Sequence, residues 1–298
     1  MLHSHRAMQG KTVVITGATS GIGLVAANHL AAMGAKIIFV ARDRQRAQAA
    51  LNALRQAGPD SDHRPFYGDL SRLGDMNRVA QEIAAAEPRI DVLINNAGAM
   101  FRDREVTEDG LERTFALNHM SYFVLTLLLR KSLAGAEAAR VVNVSSHAHK
   151  GAHLNFSDLQ SEHDYAGYRV YSRSKLCNIL FTRELVRRWA GTRITVNALH
   201  PGFVNTRFGD DSGGRKFRLA KRLFALSPQK GAETMVYLAS SEDPAVKNAN
   251  GLYFYRKQPV LPSSEAQDPH SAGALWQMSE RIAAINDCVP GQLPRAAE

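Results

Sequence analysis

Short apolar segments rich in β-branched residues alternate with longer amphipathic segments along most of the chain. The short segments predict strands at residues 12–16, 36–40, 64–67, 91–95, 140–145 and 194–199. The longer segments have the length of crossover helices and lie at residues 22–33, 44–55, 73–86, 111–132 and 170–189. Because residues 13–15 and other predicted strands are apolar without interruption, helices should cover both faces of their sheet. The pattern therefore predicts a doubly wound α/β domain with a central parallel sheet.

The periodicity weakens after Gly202, where loop-forming residues become common. Beyond that point, residues 251–255 predict a last strand and residues 274–285 a terminal helix. We therefore expect a single main domain between two less regular ends. The predicted parts are a flexible segment 1–10, a domain 11–256 that includes a substrate flap at 203–226, and a C-terminal loop and short helix at 257–298.

The composition limits the class of protein. At 298 residues with 45% apolar composition, the chain can bury a core of single-domain size. The two cysteines, Cys177 and Cys288, exclude a disulfide framework and favour a reducing cytoplasm. No run is apolar enough for a signal peptide or a membrane span, so a cytoplasmic protein is expected. The net charge of +9 is spread along the chain and predicts no nucleic-acid partner; its densest run, 215–222, is interpreted as a solvated helix face or an amphipathic flap.

A glycine-rich loop stands between the first predicted strand and the first predicted helix, with the spacing Gly-x3-Gly-x-Gly. Glycines allow a tight turn and a close backbone approach, and the N-terminus of the following helix offers free N–H groups to an anion. We therefore expect the loop to bind the pyrophosphate of a dinucleotide; an ordinary glycine-rich turn is the alternative. The predicted binding residues are Gly17, Thr19, Ser20, Gly21, Ile22 and Gly23.

The first charged residue after the second predicted strand is basic, because the order is Val40-Ala41-Arg42-Asp43. An acid at this point typically holds the ribose hydroxyls of NAD, whereas an arginine offers a planar cation to the 2′-phosphate of NADP. NADP(H) is therefore the predicted cofactor. NAD(H) is the alternative, since a shift of one residue would bring Asp43 to the ribose.

Tyr171 and Lys175 stand four residues apart in a predicted helix and so share one of its faces. An isolated phenol has a pKa of about 10, and a neighbouring ammonium should lower that pKa toward physiological pH. Tyr171 would then exchange a proton with a substrate as a general acid or base.

Further motifs occur along the chain in a characteristic order: Asn95-Asn-Ala-Gly98, Asn118, Ser145-Ser146 and Pro201-Gly202-x3-Thr206. With the glycine loop and Tyr171-x3-Lys175, this order resembles the short-chain dehydrogenase/reductase family over residues 11–255. The resemblance implies a Rossmann-type fold and hydride transfer. Residues 158–161 and 171–184 and the pair Leu275-Trp276 resemble retinol dehydrogenases and WW-domain oxidoreductases within that family. An N-terminal membrane anchor of the retinol dehydrogenase type is not expected.

The resemblance implies a catalytic set of four residues. Tyr171 would be the acid/base, and Ser146 would orient the substrate oxygen. Lys175 would hold the nicotinamide ribose and lower the pKa of Tyr171, and Asn118 would support a water leading away from Lys175. Ser146 is preferred to Ser145 because its gap of twenty-five residues to Tyr171 matches the retinol-dehydrogenase-like pattern, and because successive strand residues point in opposite directions. Ser145 is then a strand-end hydroxyl.

The same resemblance implies the remaining contacts with the cofactor. Asp69 and Leu70 would contact adenine. The turn beside the adenosine ribose would contain Asn95, Ala97 and Gly98, and the nicotinamide carboxamide would be fixed by Pro201, Gly202, Val204 and Thr206. Two of these motifs have an ordinary alternative, since Asn95-Asn96 could end a strand and Pro201-Gly202 could form a turn.

Three nearby histidines, His147, His149 and His153, raise the hypothesis of a metal site, because imidazole is a common zinc ligand. No carboxylate or thiolate stands at a matching spacing. We therefore predict no metal and expect the histidines to line a loop over the substrate pocket. Cys177 is expected to be a small buried residue on the catalytic helix.

The combined expectation is hydride transfer between NADP(H) and a carbonyl or alcohol, with reduction as the favoured direction. The aromatic residues Phe203, Phe208, Phe217 and Phe224 favour an apolar substrate, or else they pack within the flap. The alternative function is a catalytically weak NADP(H) sensor or scaffold, although a binding module needs no acid/base beside the nicotinamide. The resemblance also implies a homodimer or homotetramer formed through residues 111–132 and 170–189.

Overall fold

Within residues 7–203 and 226–284, which the computed structural model describes, the chain forms one sheet of eight strands. The strands are β1 (Thr12–Thr16), β2 (Lys36–Ala41), β3 (Arg64–Tyr67), β4 (Val92–Asn95), β5 (Ala139–Val144), β6 (Ile194–His200), β7 (Tyr253–Tyr255) and β8 (Gln258–Pro259). Their order across the sheet is β3-β2-β1-β4-β5-β6-β7-β8. Neighbouring strands are parallel except for β7 and β8, which are antiparallel.

Helices fill most connections between the strands. They are α1 (Gly21–Ala32), α2 (Arg44–Ala57), α3 (Leu73–Ala86), α4 (Arg113–Phe115), α5 (Ser121–Leu128), α6 (Arg130–Ala134), α7 (Gly167–Arg188), α8 (Pro228–Ser240), α9 (Pro244–Lys247) and α10 (Pro269–Ala283). A π-helical turn, Ala116–Met120, joins α4 to α5, and 3-10 turns lie at His147–His149 and Glu265–Gln267. No helix in the described ranges is long and apolar enough to cross a bilayer.

The strands are apolar on both faces because each face is covered by helices. Val13 and Ile15 of β1 pack with α1, α2 and α8, whereas Val14 packs on the opposite side with α3, α5 and α7. The predicted doubly wound α/β sheet is therefore confirmed. The order of the strands reverses between β1 and β4, and in such sheets the crevice at the carboxyl ends of the strands is the usual ligand site.

The segment 111–132, predicted as one helix, is interrupted in the structure. Its α-helical hydrogen bonding gives way to the π-helical turn that carries Asn118, and α5 ends before Leu129. The extra residue in a π turn re-aims a side chain, and here the Asn118 amide bonds to the backbone of Ala99. A regular helical pattern in the sequence does not reveal such an interruption.

The C-terminal helix α10 packs on the main domain. Trp276 is buried against Phe123 of α5 and Phe181 of α7, with ring centroids 5.0 and 5.9 Å away. His119, next to Asn118, is fully buried, and its Nε2 lies 2.8 Å from the hydroxyl oxygen of Ser279. Helix α10 therefore covers part of the surface of α5 and α7 that was expected to form subunit contacts.

Helix α10 also begins earlier than predicted, at Pro269 and not at residue 274. The carboxylate of Asp268 accepts hydrogen bonds from the backbone N–H groups of His270 and Ser271, and proline occupies the first turn. Both features are standard helix starts. The loop-rich composition of the preceding residues concealed them.

Candidate active site

A cavity of about 1720 Å³ extends along the carboxyl ends of the central strands. It brings the glycine loop, the end of β2, the turn after β4 and the start of α7 to one site. The predicted residues that line it are Gly17, Thr19, Ser20, Gly21, Ile22, Gly23, Arg42, Asp69, Leu70, Ala97, Gly98, Ser146, Tyr171, Lys175, Pro201 and Gly202. Val204 and Thr206 lie outside the described residues, as do Phe208, Phe217 and Phe224.

The glycine loop leaves no room for side chains at two of its positions. Gly17 has a φ of +70°, and a Cβ there would come within 2.8 Å of the Asn96 amide nitrogen and 2.9 Å of the Ala97 Cα. A Cβ at Gly23 would overlap the carbonyl oxygen of Gly17. The loop backbone therefore packs directly on the turn after β4, and α1 starts at Gly21 with its free N–H groups at the cavity. This construction fits a pyrophosphate group.

Asn95, expected beside the adenosine ribose, does not line the cavity. Its side chain is fully buried within the sheet and donates hydrogen bonds to Thr126 Oγ1 at 2.9 Å and Asn143 Oδ1 at 2.8 Å. The next residue, Asn96, borders the cavity instead, and its amide donates to the carbonyl oxygen of Thr16 at 2.9 Å. The side chain of Asn95, the last residue of β4, therefore does not support the expected ribose contact, whereas Asn96 is the first residue after the strand.

Asn118 lies behind the cavity wall. Its amide nitrogen donates to the Ala99 carbonyl and to Ser174 Oγ, both at 2.9 Å, and its oxygen accepts from the Ala99 N–H at 2.9 Å. Asn118 thus fastens the turn after β4 to α7, one residue before Lys175. A Cβ on Gly98 would lie 3.1 Å from Asn118 Oδ1 and 3.3 Å from Lys175 Nζ, so all three residues meet at one point.

Tyr171 and Ser146 both line the cavity, and their side chains interact in a way that lowers the pKa of the phenol. Lys175 Nζ donates to the Val144 carbonyl at 3.1 Å and lies 5.6 Å from the centroid of the Tyr171 ring. Ser145 also borders the cavity, but its hydroxyl donates to the Lys175 carbonyl at 2.7 Å. Ser146, and not Ser145, is therefore the serine whose side chain interacts with the Tyr171 phenol.

Burial governs the protonation of the two titratable groups. Burial raises the pKa of Tyr171 to about 12, against the interaction with Ser146, which lowers it. Burial also lowers the pKa of Lys175 to about 7. The expected lowering of the phenol pKa by the neighbouring ammonium is therefore wrong for this structure, because the loss of water around both groups disfavours their charged forms.

Arg42 and Asp43, the two candidate contacts with the adenosine ribose, have different surroundings after the end of β2. Arg42 borders the cavity with 62% of its side chain exposed, and its guanidinium lies 3.5 Å from Asp69 Oδ2. Asp43 instead caps α2, accepting a 2.9 Å hydrogen bond from the backbone N–H of Arg46. The Asp43 side chain is not among those that line the cavity.

Aromatic rings form the wall beyond Ser146. His200 stacks on Tyr255 with centroids 5.0 Å apart, and the ring of His147 lies 5.7 Å from His200. Burial lowers the pKa of His200 to about 4, so this ring is neutral at physiological pH. Sequence reasoning missed His200 and Tyr255 and also the neighbouring wall residue Tyr168. The position of His200 directly before Pro201-Gly202 was the one available signal.

The three histidines near Ser146 have different surroundings. His147 lines the cavity, His149 is fully buried and His153 has an exposed side chain, so the expectation that all three line the pocket loop was wrong for two of them. No cluster of three or more His, Cys, Asp or Glu residues suited to a metal ion occurs in the part of the chain that the structure describes. Cys177 is buried, as expected, and burial raises its thiol pKa to about 12.

The sequence relationships agree with this site. The sequence profile of the family described as short chain dehydrogenase matches residues 11–213. The chain is 43% identical over 295 residues to retinol dehydrogenase 14 of Mus musculus, covering 93% of this chain and 87% of that protein. It is 36% identical over 288 residues to the WW domain-containing oxidoreductase of Pongo abelii, covering 93% of this chain and 69% of that protein.

Solved structures share the fold. A Mycobacterium paratuberculosis protein has a TM-score of 0.77 at 34% identity, covering 94% of this chain and 96% of that one. A Beutenbergia cavernae structure with NADP bound at low occupancy has a TM-score of 0.67 at 27% identity, covering 84% and 96%. The similarity to retinol dehydrogenases and WW-domain oxidoreductases is confirmed, and with it an oxidoreductase that acts on alcohol or carbonyl groups of small molecules. The chain belongs to the short-chain dehydrogenase family.

Proposed function

We propose that the protein is an NADP(H)-dependent reductase of apolar carbonyl compounds, with Tyr171 as the proton donor. The observation that carries this proposal is that Tyr171 and Ser146 line the same cavity as the glycine loop. A substrate oxygen placed between the two hydroxyls would accept a hydrogen bond from each, as polarisation of a carbonyl requires.

The residues that would hold the cofactor follow the cavity wall. The loop Gly17–Gly23 would bind the pyrophosphate, Asp69 and Leu70 the adenine, Lys175 the nicotinamide ribose, and Pro201 and Gly202 the carboxamide. When bound, the nicotinamide supplies the hydride for reduction or accepts it in the reverse reaction.

The protonation state of Tyr171 favours reduction. With a pKa raised by burial to about 12, the phenol carries its proton at neutral pH and can donate it to the oxygen that develops negative charge. Ser146 holds that oxygen in place, and Lys175 contributes positive potential when protonated. Oxidation requires the phenolate, which burial disfavours.

The preference for NADP(H) rests on Arg42 and Asp43. Arg42 borders the cavity as a largely exposed cation, whereas Asp43 caps α2 and does not line the cavity. A guanidinium can bind a phosphate with two parallel hydrogen bonds. The NADP-bound Beutenbergia cavernae structure supports the same choice.

The proposal of an apolar substrate has two supports. Phe101, Phe203 and Tyr255 line the cavity, together with the exposed ring of Tyr168. The Mus musculus relative is named for retinol, an apolar alcohol. The cytoplasmic location and the homodimer or homotetramer remain proposals from the sequence.

A substrate panel tests the function. Lipophilic aldehydes, quinones, steroids and sugars are incubated with NADPH or NADH, and oxidation of the cofactor is followed by its absorbance. We expect turnover of lipophilic carbonyls with NADPH as the better donor. Turnover of sugars alone would refute the apolar substrate, and preference for NADH would refute the role of Arg42. NADPH binding without turnover of any carbonyl would favour the sensor or scaffold.

A further inference from the structure

His149 connects Ser146 to the C-terminal part of the chain. Its Nδ1 lies 2.6 Å from the carbonyl oxygen of Ser146, and its Nε2 lies 3.1 Å from the backbone nitrogen of Ser263. The backbone N–H of His149 donates to the same Ser146 carbonyl at 3.2 Å. The His149 side chain is fully buried, with the ring of Tyr253 packed edge-on at 5.0 Å.

The two partners require one protonation state of the ring. A carbonyl oxygen can only accept, so Nδ1 must carry the hydrogen, and a backbone N–H can only donate, so Nε2 must be bare. The neutral Nδ1–H tautomer satisfies both contacts at once. A protonated ring would place an N–H group against the N–H of Ser263 and lose that bond.

We propose that His149 is a positioning residue for the reaction: its neutral imidazole ties the carbonyl of Ser146 to the backbone of Ser263 and thereby holds the Ser146 hydroxyl against Tyr171. The inference rests on the proposed function, because it assigns no role to His149 beyond the placement of that hydroxyl.

The local geometry shows why this placement matters. Ser146 is the second residue after the end of β5. It is extended, with φ −157° and ψ 157°, and caps the turn His147–His149. Its Oγ accepts a 3.2 Å hydrogen bond from the Ala148 N–H. Rotation of this peptide would move Oγ away from the phenol, and a displacement of about 1 Å at a reacting group can reduce turnover about a hundredfold.

The charges around His149 determine how acid would act on it. Burial lowers its pKa, as do the nearby His147 and Lys150, whereas the bond to Ser146 and the carboxylate of Glu265 raise it. His200 also interacts with it from β6, and Tyr253 contributes a phenol from β7. The net pKa lies below the ordinary histidine value of 6.5, so the ring is neutral at neutral pH and only acid breaks the contact with Ser263.

Two substitutions separate the hydrogen bond from the packing. His149→Phe keeps an aromatic ring and removes both polar contacts, whereas His149→Asn keeps a donor near the position of Nδ1. We expect kcat to fall at least about tenfold in His149→Phe. The KM for NADPH should stay within about twofold of the wild-type value. The thermal unfolding midpoint of each variant is measured to detect a loss of folded protein. His149→Asn keeps a bond to Ser146 but not the bond to Ser263, so it should recover part of the lost kcat. The acid limb that His149 contributes to the pH profile of kcat should be absent from both variants.

His153 provides the matched control. It lies on the same loop and also faces the C-terminal segment, through Glu265 at 3.6 Å, but 73% of its side chain is exposed. His153→Phe should keep the wild-type kcat.

Three outcomes would overturn the inference. One is an unchanged kcat in His149→Phe. Another is a kcat that falls only in proportion to the unfolded fraction, and the third is a folded His149→Asn variant no better than His149→Phe. A wild-type chain that reduces no carbonyl would overturn the proposed function and this inference together, whereas an active wild type with unaffected variants would overturn this inference alone.

Discussion

The side chain of Ser146 interacts with the phenol of Tyr171, whereas the hydroxyl of the preceding Ser145 donates a hydrogen bond to the backbone carbonyl of Lys175. Adjacent serines therefore have separate tasks. One faces the cavity with the proton donor, and the other secures the helix that carries both Tyr171 and Lys175.

Tyr171→Phe should slow hydride transfer by orders of magnitude and leave the binding of NADPH intact. The substitution removes the proton donor, which contributes about 10²- to 10⁴-fold to the rate, and it leaves the glycine loop untouched. Turnover is measured with the best carbonyl of the panel, and binding is measured by the fluorescence of NADPH. Tyr237→Phe is the control, because that hydroxyl lies on the outer helix α8, 3.4 Å from Asp243. Near-normal turnover in Tyr171→Phe would remove Tyr171 from its role.

Arg42→Ala should raise the KM for NADPH about tenfold or more, because a hydrogen bond to a charged group contributes about 1.5–3 kcal/mol. The KM for NADH should change little, since NADH has no 2′-phosphate. Arg46→Ala is the matched control: Arg46 lies on α2 beside Asp43, at 3.8 Å, and does not line the cavity. An equal rise in the KM for NADPH and for NADH would show that Arg42 does not bind the 2′-phosphate.

The stability of the protein should depend on pH through Lys175. Burial lowers its pKa from 10.5 to about 7, so between these pH values the unfolded chain binds a proton that the folded protein does not. The free energy of unfolding therefore rises with pH across this window. The raised pKa of Tyr171 acts in the opposite direction above pH 10, where the folded protein binds the extra proton.

Lys175→Met should remove that rise. The variant should exceed the wild type in stability at pH 7 by an amount on the order of 3–5 kcal/mol, and the difference should shrink toward pH 10. Urea unfolding at several pH values measures both quantities. Lys230→Met is the control, because the side chain of Lys230 is 65% exposed and pairs with Glu233. It should leave the rise in the free energy of unfolding between about pH 7 and pH 10 unchanged. A constant difference between Lys175→Met and wild type would contradict the burial of a titrating lysine.

Trp276→Ala should destabilise the protein by about 3–5 kcal/mol. The indole is buried between α10 and the rings of Phe123 and Phe181, and its removal leaves a cavity there. Leu261→Ala, at a side chain that is 80% exposed, should change the free energy of unfolding by less than about 0.5 kcal/mol. A loss below about 1 kcal/mol for Trp276→Ala would mean that the helix contributes little to the fold.

The sheet was predictable because its evidence is local. Runs such as residues 36–40 carry enough β-branched and apolar residues to indicate a buried strand, and β2 extends only one residue further. The glycine loop was predictable for the same reason, since its spacing and its place between a strand and a helix occur together in the sequence. Residues that act through a distant partner gave no such local signal.

The expectations that differ from the structure depend on the direction of a side chain or on contacts between residues far apart in the sequence. Asn95 and Asn96 are chemically identical neighbours. Asn95 ends β4 and bonds to Thr126 and Asn143, whereas Asn96 follows the strand and borders the cavity. The pKa of Tyr171 depends on the water excluded by the surrounding fold, which a spacing of four residues does not encode. The interruption near Asn118 likewise depends on the Ala99 backbone, nineteen positions away.

The packing of α10 has a consequence for how the active site is completed. The helix that supports the Asn118 turn, through Ser279 and His119, belongs to the same polypeptide as the turn itself. Support supplied within one chain does not depend on protein concentration. Specific activity should therefore stay constant on dilution far below the concentrations at which subunits separate, as a dilution series of the enzyme can establish.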